Sequence, residues 1–242
     1  FVVMLGAGGL GDACISSLLT VALPGDEVIV VAPRGVPLGT GAGSGRVVWS
    51  GPEVRNTGAA VVWRAVRLGA QPRPGAGVMA NAGLSQARGE GVVFLAGDAR
   101  LEPAGLQAAR ALLAETAADI VIAGFTGPYA GDEVAAWQQP DRDAALRMEA
   151  EPGRMVLRRR FLKAACLHYA EHLPTLAAQA FFWQACLHAR DIRFHDGIML
   201  HLLGFDAWRA GGADQPQFEA VQPEVRATVF FLYRELVAAL GP

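Results

Sequence analysis

Short apolar runs alternate with helix-length segments along this chain, and that alternation constrains its fold more than any other feature. Phe1 to Leu5, Glu27 to Val31, Ala60 to Val66, Val92 to Leu95 and Asp119 to Phe125 read as strands with little polar interruption. Strands apolar on both faces belong inside a parallel sheet covered by helices. The intervening segments supply those helices: Asp12 to Val21, Val78 to Ala87, and Pro103 to Thr116, where Pro103 opens the helix and Leu106, Leu112 and Leu113 share one side. Further on, Met155 to Leu157 reads as a short strand and Arg159 to Tyr169 as a helix. Thr175 to Ala189 reads as a strongly apolar helix, Ile192 to Phe194 as a last strand and Glu224 to Leu240 as a terminal helix. The predicted class is α/β, with a mostly parallel sheet and helices on both faces. Residues 35–58 form a long glycine-rich loop, with a short strand at Arg46 to Trp49, and residues 126–142 a polar insertion.

The 242 residues suit one large domain, and 52% hydrophobic content is enough for a substantial core. A net charge of −2 argues against nucleic acid or an anionic membrane as partner. Lys163 is the single lysine, so no other is available for Schiff-base or general-base chemistry. Cys14, Cys166 and Cys186 are far apart and form no CxxC pair, which argues against a zinc or redox motif and for buried thiols in a reducing compartment. No apolar run reaches the roughly 18 residues that span a bilayer, and no signal-peptide pattern is visible. The expected location is cytoplasmic.

Gly6-Ala7-Gly8-Gly9-Leu10-Gly11 spells GxGxxG between a strand and a helix. In a dinucleotide fold that turn seats a pyrophosphate on the helix N-terminus. The acid such a fold wants at the end of the second strand is replaced by Ala32-Pro33-Arg34, and Arg34 would suit the 2′-phosphate of NADP instead. A chain with 29 glycines also spells this pattern by chance. A plain tight turn is the simpler reading, with an NADP-binding Rossmann protein as the alternative.

Residues 78–103 carry the most specific pattern: V-M-A-N-A-G-L-S-Q-A-R-G-E-G-V-V-F-L-A-G-D-A-R-L-E-P. A tight turn at Arg88-Gly89-Glu90 leads into the strand, and Asp98 sits just past the strand end. Open α/β sheets bind ligands there, outside the carboxyl ends of the strands. This stretch resembles the centre of the family 2 glycosyltransferases, A-R-N-x-G-L-x-x-A-x-G-E-(apolar)-F-L-D-x-D-D-x-x-x-P, and weaker resemblance runs from about Phe1 to His201. It implies a GT-A-like single domain over 1–242, with a nucleotide-binding half at 1–125 and an acceptor-side half with the C-terminal helix at 126–242. It implies transfer of a sugar from a nucleotide-sugar donor to an acceptor hydroxyl.

The departures fall on charged positions. The acidic pair that ends the second strand becomes Ala32-Pro33. The family's Arg-Asn-x-Gly becomes Ala80-Asn81-Ala82-Gly83, so Asn81 remains as the donor contact. D-x-D becomes Ala96-Gly97-Asp98, followed by Ala99. Two carboxylates at that spacing clamp Mg²⁺ or Mn²⁺ and, through it, the diphosphate; Asp98 alone binds such an ion weakly. In a metal-independent version, Arg34 or Arg100 would take the cation's place. The Glu-Asp pair that supplies the general base in the family corresponds to Ala178-Gln179, with Glu171 nearby as a displaced acid. The resemblance thus assigns Arg34, Asn81 and Asp98 to the nucleotide, Asp98 to any metal, and no residue to catalysis. Four losses together point to an altered or lost activity, with a non-catalytic binding or scaffold protein as the second reading.

Other candidates read as structural. His168 and His172 have i, i+4 spacing without a third metal ligand, and His188, His195 and His201 are scattered. Arg158-Arg159-Arg160 reads as a solvent-facing helix start, with a phosphate grip as the sharper alternative. Phe181, Phe182, Trp183 and Leu187 read as core. The stripe Val225, Val229, Leu232, Leu236 and Leu240 docks a terminal helix and also admits a homodimer contact.

Overall fold

The structure, a computed structural model, describes residues 1–5, 11–36, 53–55, 61–69, 75–127, 141–148, 150–173 and 176–202. Its elements run β1 (Val2–Met4), α1 (Asp12–Val21), β2 (Glu27–Ala32), β3 (Glu53–Arg55), β4 (Val62–Arg67), α2 (Ala76–Gln86), β5 (Gly91–Val92), β6 (Phe94–Ala96) and β7 (Ala99–Leu101). They continue with α3 (Pro103–Glu115), β8 (Ile120–Thr126), α4 (Arg142–Arg147), a 3-10 turn at Pro152–Arg154, β9 (Met155–Arg158), α5 (Arg159–Ala164), α6 (Ala177–His188) and β10 (Ile192–Leu202).

The expected parallel sheet is present. Its order is β3-β4-β2-β1-β6, and β4, β2, β1 and β6 are mutually parallel. Side chains alternate across it. Val2, Ile29, Val31 and Phe94 join one core beneath α2 and α6, while Val3, Val28, Val30 and Leu95 join a second core beneath α1 and α3. Gly83 lets α2 approach closely, since a Cβ there would lie 2.3 Å from Val2 Cγ1. A second, mixed sheet has the order β5-β9-β8-β10-β7. The chain enters the first sheet at β6 and turns back at Gly97-Asp98 into β7, which pairs antiparallel with β10.

Several expectations need correcting. The strand read as Val92 to Leu95 is broken at Val93, and its two pieces belong to different sheets. β3 and β7 are additional. The last strand continues past Phe194 to Leu202, because register shifts after His195 and Ile198 absorb the polar Asp196-Gly197 without ending the pairing with β8. The helix from Arg159 stops at Ala164 instead of Tyr169. Cys166 takes φ +51°, its N–H donates to Lys163 O and that of Leu167 to Leu162 O, which is the left-handed stop of a Schellman motif. His168 and His172 are therefore not one turn apart on a helix. Cys166 is exposed, unlike the buried Cys14 and Cys186. The segments read at 46–49 and 224–240 lie outside the described residues.

Arg158 is a further correction. It faces the interior at 4% exposure, because its guanidinium closes the C-terminal end of α3. Its Nε donates to Ala118 O at 2.8 Å and its Nη2 to Thr116 O at 3.0 Å and to Leu113 O, while Nη1 pairs with Glu90. Leu113 O belongs to the last turn of α3, whose carbonyls have no partner within the helix, and Thr116 and Ala118 follow its end. Arg159 reaches Gly89 O, and Arg160 alone of the three is exposed without such a contact.

Candidate functional site

Because β1, β2, β4 and β6 are parallel, their carboxyl ends share one edge. Connections leaving that edge are where an open α/β sheet takes its ligands. Asp98 stands there, exposed, on the two-residue turn between β6 and β7. The start of α1 is fitted against the same turn. Gly11 N–H donates to Gly97 O at 2.9 Å, and a Cβ on Gly11 would lie 3.3 Å from that oxygen. From the first turn of α1, the thiol of Cys14 faces Ala96 O. Its pKa is pushed up to about 12, first by burial and then by the negative charge of Asp98. Gly6 to Leu10, the rest of the glycine pattern, lie outside the described residues.

Arg34 occupies the same edge, at the end of β2. It is exposed on a turn in which Gly35 takes φ +87°, Val36 N–H donates to Pro33 O, and Arg67 braces the carbonyls of Pro33 and Val36. β1 separates β2 from β6, so Arg34 and Asp98 leave the sheet about 10 Å apart, two strand spacings.

Asn81 is engaged in a different way. Its Oδ1 accepts from Tyr169 N–H at 2.8 Å. Its Nδ2 donates to Tyr169 O and to Glu171 Oε1, both at 2.9 Å. The amide therefore ties α2 to the segment before α6 and orients Glu171, which is exposed. Glu171 also lies against the first turn of α2, its Cα 3.4 Å from where a Gly77 Cβ would be. Asn81 and Glu171 are thus brought together. Gln179 sits in the first turn of α6, and its Oε1 is buried with no hydrogen-bond partner.

Beneath these groups Tyr169 stacks on Phe181 at 4.1 Å, with Phe94 edge-on at 5.1 Å. The Tyr169 hydroxyl is buried without a hydrogen-bond partner, and its pKa is raised by burial and by the charge of Glu151. Tyr169→Phe keeps the stack and removes the unpaired group, so it is expected to raise stability by about 1 kcal/mol. Urea unfolding at constant slope checks this.

A polar chain that the sequence reading missed crosses the second sheet at the same edge. His201 Nδ1 lies 2.6 Å from Thr126 Oγ1, and His201 Nε2 lies 3.3 Å from Glu102 Oε2. These residues are 75 and 99 positions apart, so no local spacing could have signalled them. Among the described residues no three His, Cys, Asp or Glu side chains gather as metal ligands, and no helix is long and apolar enough to cross a membrane.

No family model and no curated protein matches the sequence. Solved structures do match. The chain is similar to residues 1–349 of TarS from S. aureus in complex with UDP-GlcNAc: TM-score 0.69, 16% identity, covering 98% of this chain and 70% of that one. For the complex of the same protein with UDP the TM-score is 0.63 at 18% identity, over 86% of this chain and 63% of that one. Glucosyl-3-phosphoglycerate synthase from Mycobacterium tuberculosis, in complex with Mn²⁺, UDP-Glc and phosphoglyceric acid, matches with TM-score 0.52 at 16% identity, over 97% and 78% of the two chains. The chain spans 43% of a longer TarS structure. Likeness at this identity speaks for architecture, and the architecture of this chain is the GT-A fold.

Proposed function

We propose that this chain takes a nucleotide sugar, linked to UDP, across the carboxyl edge of its first sheet and transfers the sugar to an acceptor hydroxyl. The observation that carries this is the similarity over 98% of the chain to a protein in complex with UDP-GlcNAc. Arg34 and Asp98 are among the charged groups at the edge that the donor can meet, Asp98 as an acceptor for ribose or sugar hydroxyls. Asn81 acts indirectly, by orienting Glu171.

In the reaction the acceptor oxygen attacks the anomeric carbon. The bond from that carbon to the diphosphate oxygen breaks, UDP departs, and the acceptor's proton passes to a base. Glu171 is the carboxylate we assign to that task, since Gln179 takes no proton at neutral pH. A resident Mn²⁺ does not fit the donor set at 96–99, where Asp98 is the single carboxylate beside Ala96, Gly97 and Ala99. The Mn²⁺ in the synthase complex belongs to that protein.

A second reading is a non-catalytic binding or scaffold protein on the same fold, and Gln179 at the family's base position favours it. A thermal-shift screen separates the readings. It compares UDP-GlcNAc, UDP-glucose, GDP and CDP sugars, and NADP(H), each with and without Mn²⁺. A UDP sugar at a hundred times its Kd is expected to add about 2.7 kcal/mol, a rise of roughly 5–11 °C. A rise with NADP(H) alone would replace the proposal with the dinucleotide reading. No rise with any nucleotide sugar would leave the scaffold.

A further inference from the structure

The β6–β7 turn leaves one carboxylate where the resemblance implies a pair, so a donor diphosphate needs a counter-charge from elsewhere. The register of the second sheet supplies one. On β7, Ala99 and Leu101 are buried in the core beneath α1 and α3, so Arg100 between them points to the opposite face, where it is exposed. Arg100 pairs directly with His201 on β10, and His201 pairs with Thr126 on β8. Three neighbouring strands thus carry Arg100, His201 and Thr126 in one row at the carboxyl edge, two residues from Asp98.

The row also keeps the arginine available. Glu102 follows Arg100 by two residues, in extended backbone between β7 and α3, and would be its natural ion-pair partner. Its carboxylate is turned to His201 Nε2 instead, at 3.3 Å. The other ring nitrogen, Nδ1, lies 2.6 Å from Thr126 Oγ1, so both nitrogens of His201 are engaged by the row. Arg100 makes no hydrogen bond or ion pair among the described residues. An exposed guanidinium left unpaired beside two carboxylates, at the edge where ligands enter, is a fork aimed at a bidentate anion. Arg34 leaves the sheet two strands away, whereas Arg100 is two residues from Asp98.

We propose that Arg100 grips the donor diphosphate directly, in the place of a divalent cation, making nucleotide binding by this chain independent of metal. The inference rests on the UDP-sugar reading above and adds the group that recognises its phosphates. Asp98 then meets hydroxyls of the donor, and the row Glu102–His201–Thr126 keeps Arg100 from being neutralised.

Calorimetric titration of the whole chain with UDP, after EDTA treatment and again with Mn²⁺, tests it. The wild type is expected to bind UDP in EDTA, with little change on adding Mn²⁺. Arg100→Met, an exposed substitution, is expected to weaken binding in EDTA by about 10–100-fold, the worth of a charge-assisted hydrogen bond pair. An absolute need for Mn²⁺ in the wild type would overturn the proposal, and so would equal binding by Arg100→Met in EDTA. Failure of UDP to bind under either condition would instead remove the UDP-sugar reading, and this inference with it.

Discussion

Arg158→Ala is expected to lower the unfolding free energy by about 3–5 kcal/mol, the cost of breaking a buried, charged hydrogen-bond hub. The arginine is 4% exposed and serves carbonyls of Leu113, Thr116 and Ala118 at once, with Glu90 on its outer nitrogen. Alanine would leave those oxygens buried without a donor and open a cavity between α3 and β9. Lysine would not rescue it, because one ammonium cannot reach three acceptors held in a planar fork. Glu90 is 76% exposed and stays hydrated after the loss, so its share of the cost is small. Arg160→Ala, two residues on and exposed, is the control, expected within about 0.5 kcal/mol of wild type. Urea denaturation of the three proteins decides the matter. A loss below about 1 kcal/mol for Arg158→Ala would mean that water replaces the guanidinium, contrary to the burial described above.

Glu171→Gln is expected to reduce sugar transfer by about 10²–10⁴-fold, the usual contribution of a positioned general base. Glutamine keeps the size of the side chain and an oxygen for Asn81 Nδ2, so the tie between α2 and the segment before α6 survives. The thermal shift produced by a UDP sugar should therefore stay at its wild-type value. That split between binding and turnover separates a proton acceptor from a mere brace. Asn81→Ala should give a smaller kinetic loss together with lower stability, because Asn81 also holds both backbone groups of Tyr169. Unchanged turnover in Glu171→Gln would move the base elsewhere.

The central strand β2 of the first sheet and β8 of the second were legible because they are buried on both faces, so apolar content alone marks them. Glu27 to Val31 and Asp119 to Phe125 were read within a residue of β2 and β8. β10 was read only over Ile192 to Phe194, because His195, Asp196, Gly197 and His201 interrupt the apolar run. A bulge lets the strand pass them, and bulges leave no mark in composition. β7 hid for a similar reason, since Ala99-Arg100-Leu101 offers two apolar residues around a charge, too short to show a period.

At the site, the edge position of Asp98 was legible, because a lone carboxylate just past a buried strand has few other places to go. Asn81 was picked out by resemblance, and what it touches in the structure is Tyr169 and Glu171. The alignment of Arg100, His201 and Thr126 depends on strand register across three distant segments. The inward turn of Arg158 depends on where α3 ends. Both are tertiary facts that local patterns do not encode.

The most direct test is a crystal structure of the chain with UDP-GlcNAc. The diphosphate should lie against the Gly97-Asp98 turn, within hydrogen-bond reach of Arg100, with Asp98 on a hydroxyl of the donor. A nucleotide bound away from the carboxyl edge of β1 and β6, leaving Asp98 and Arg100 untouched, would contradict the proposed site.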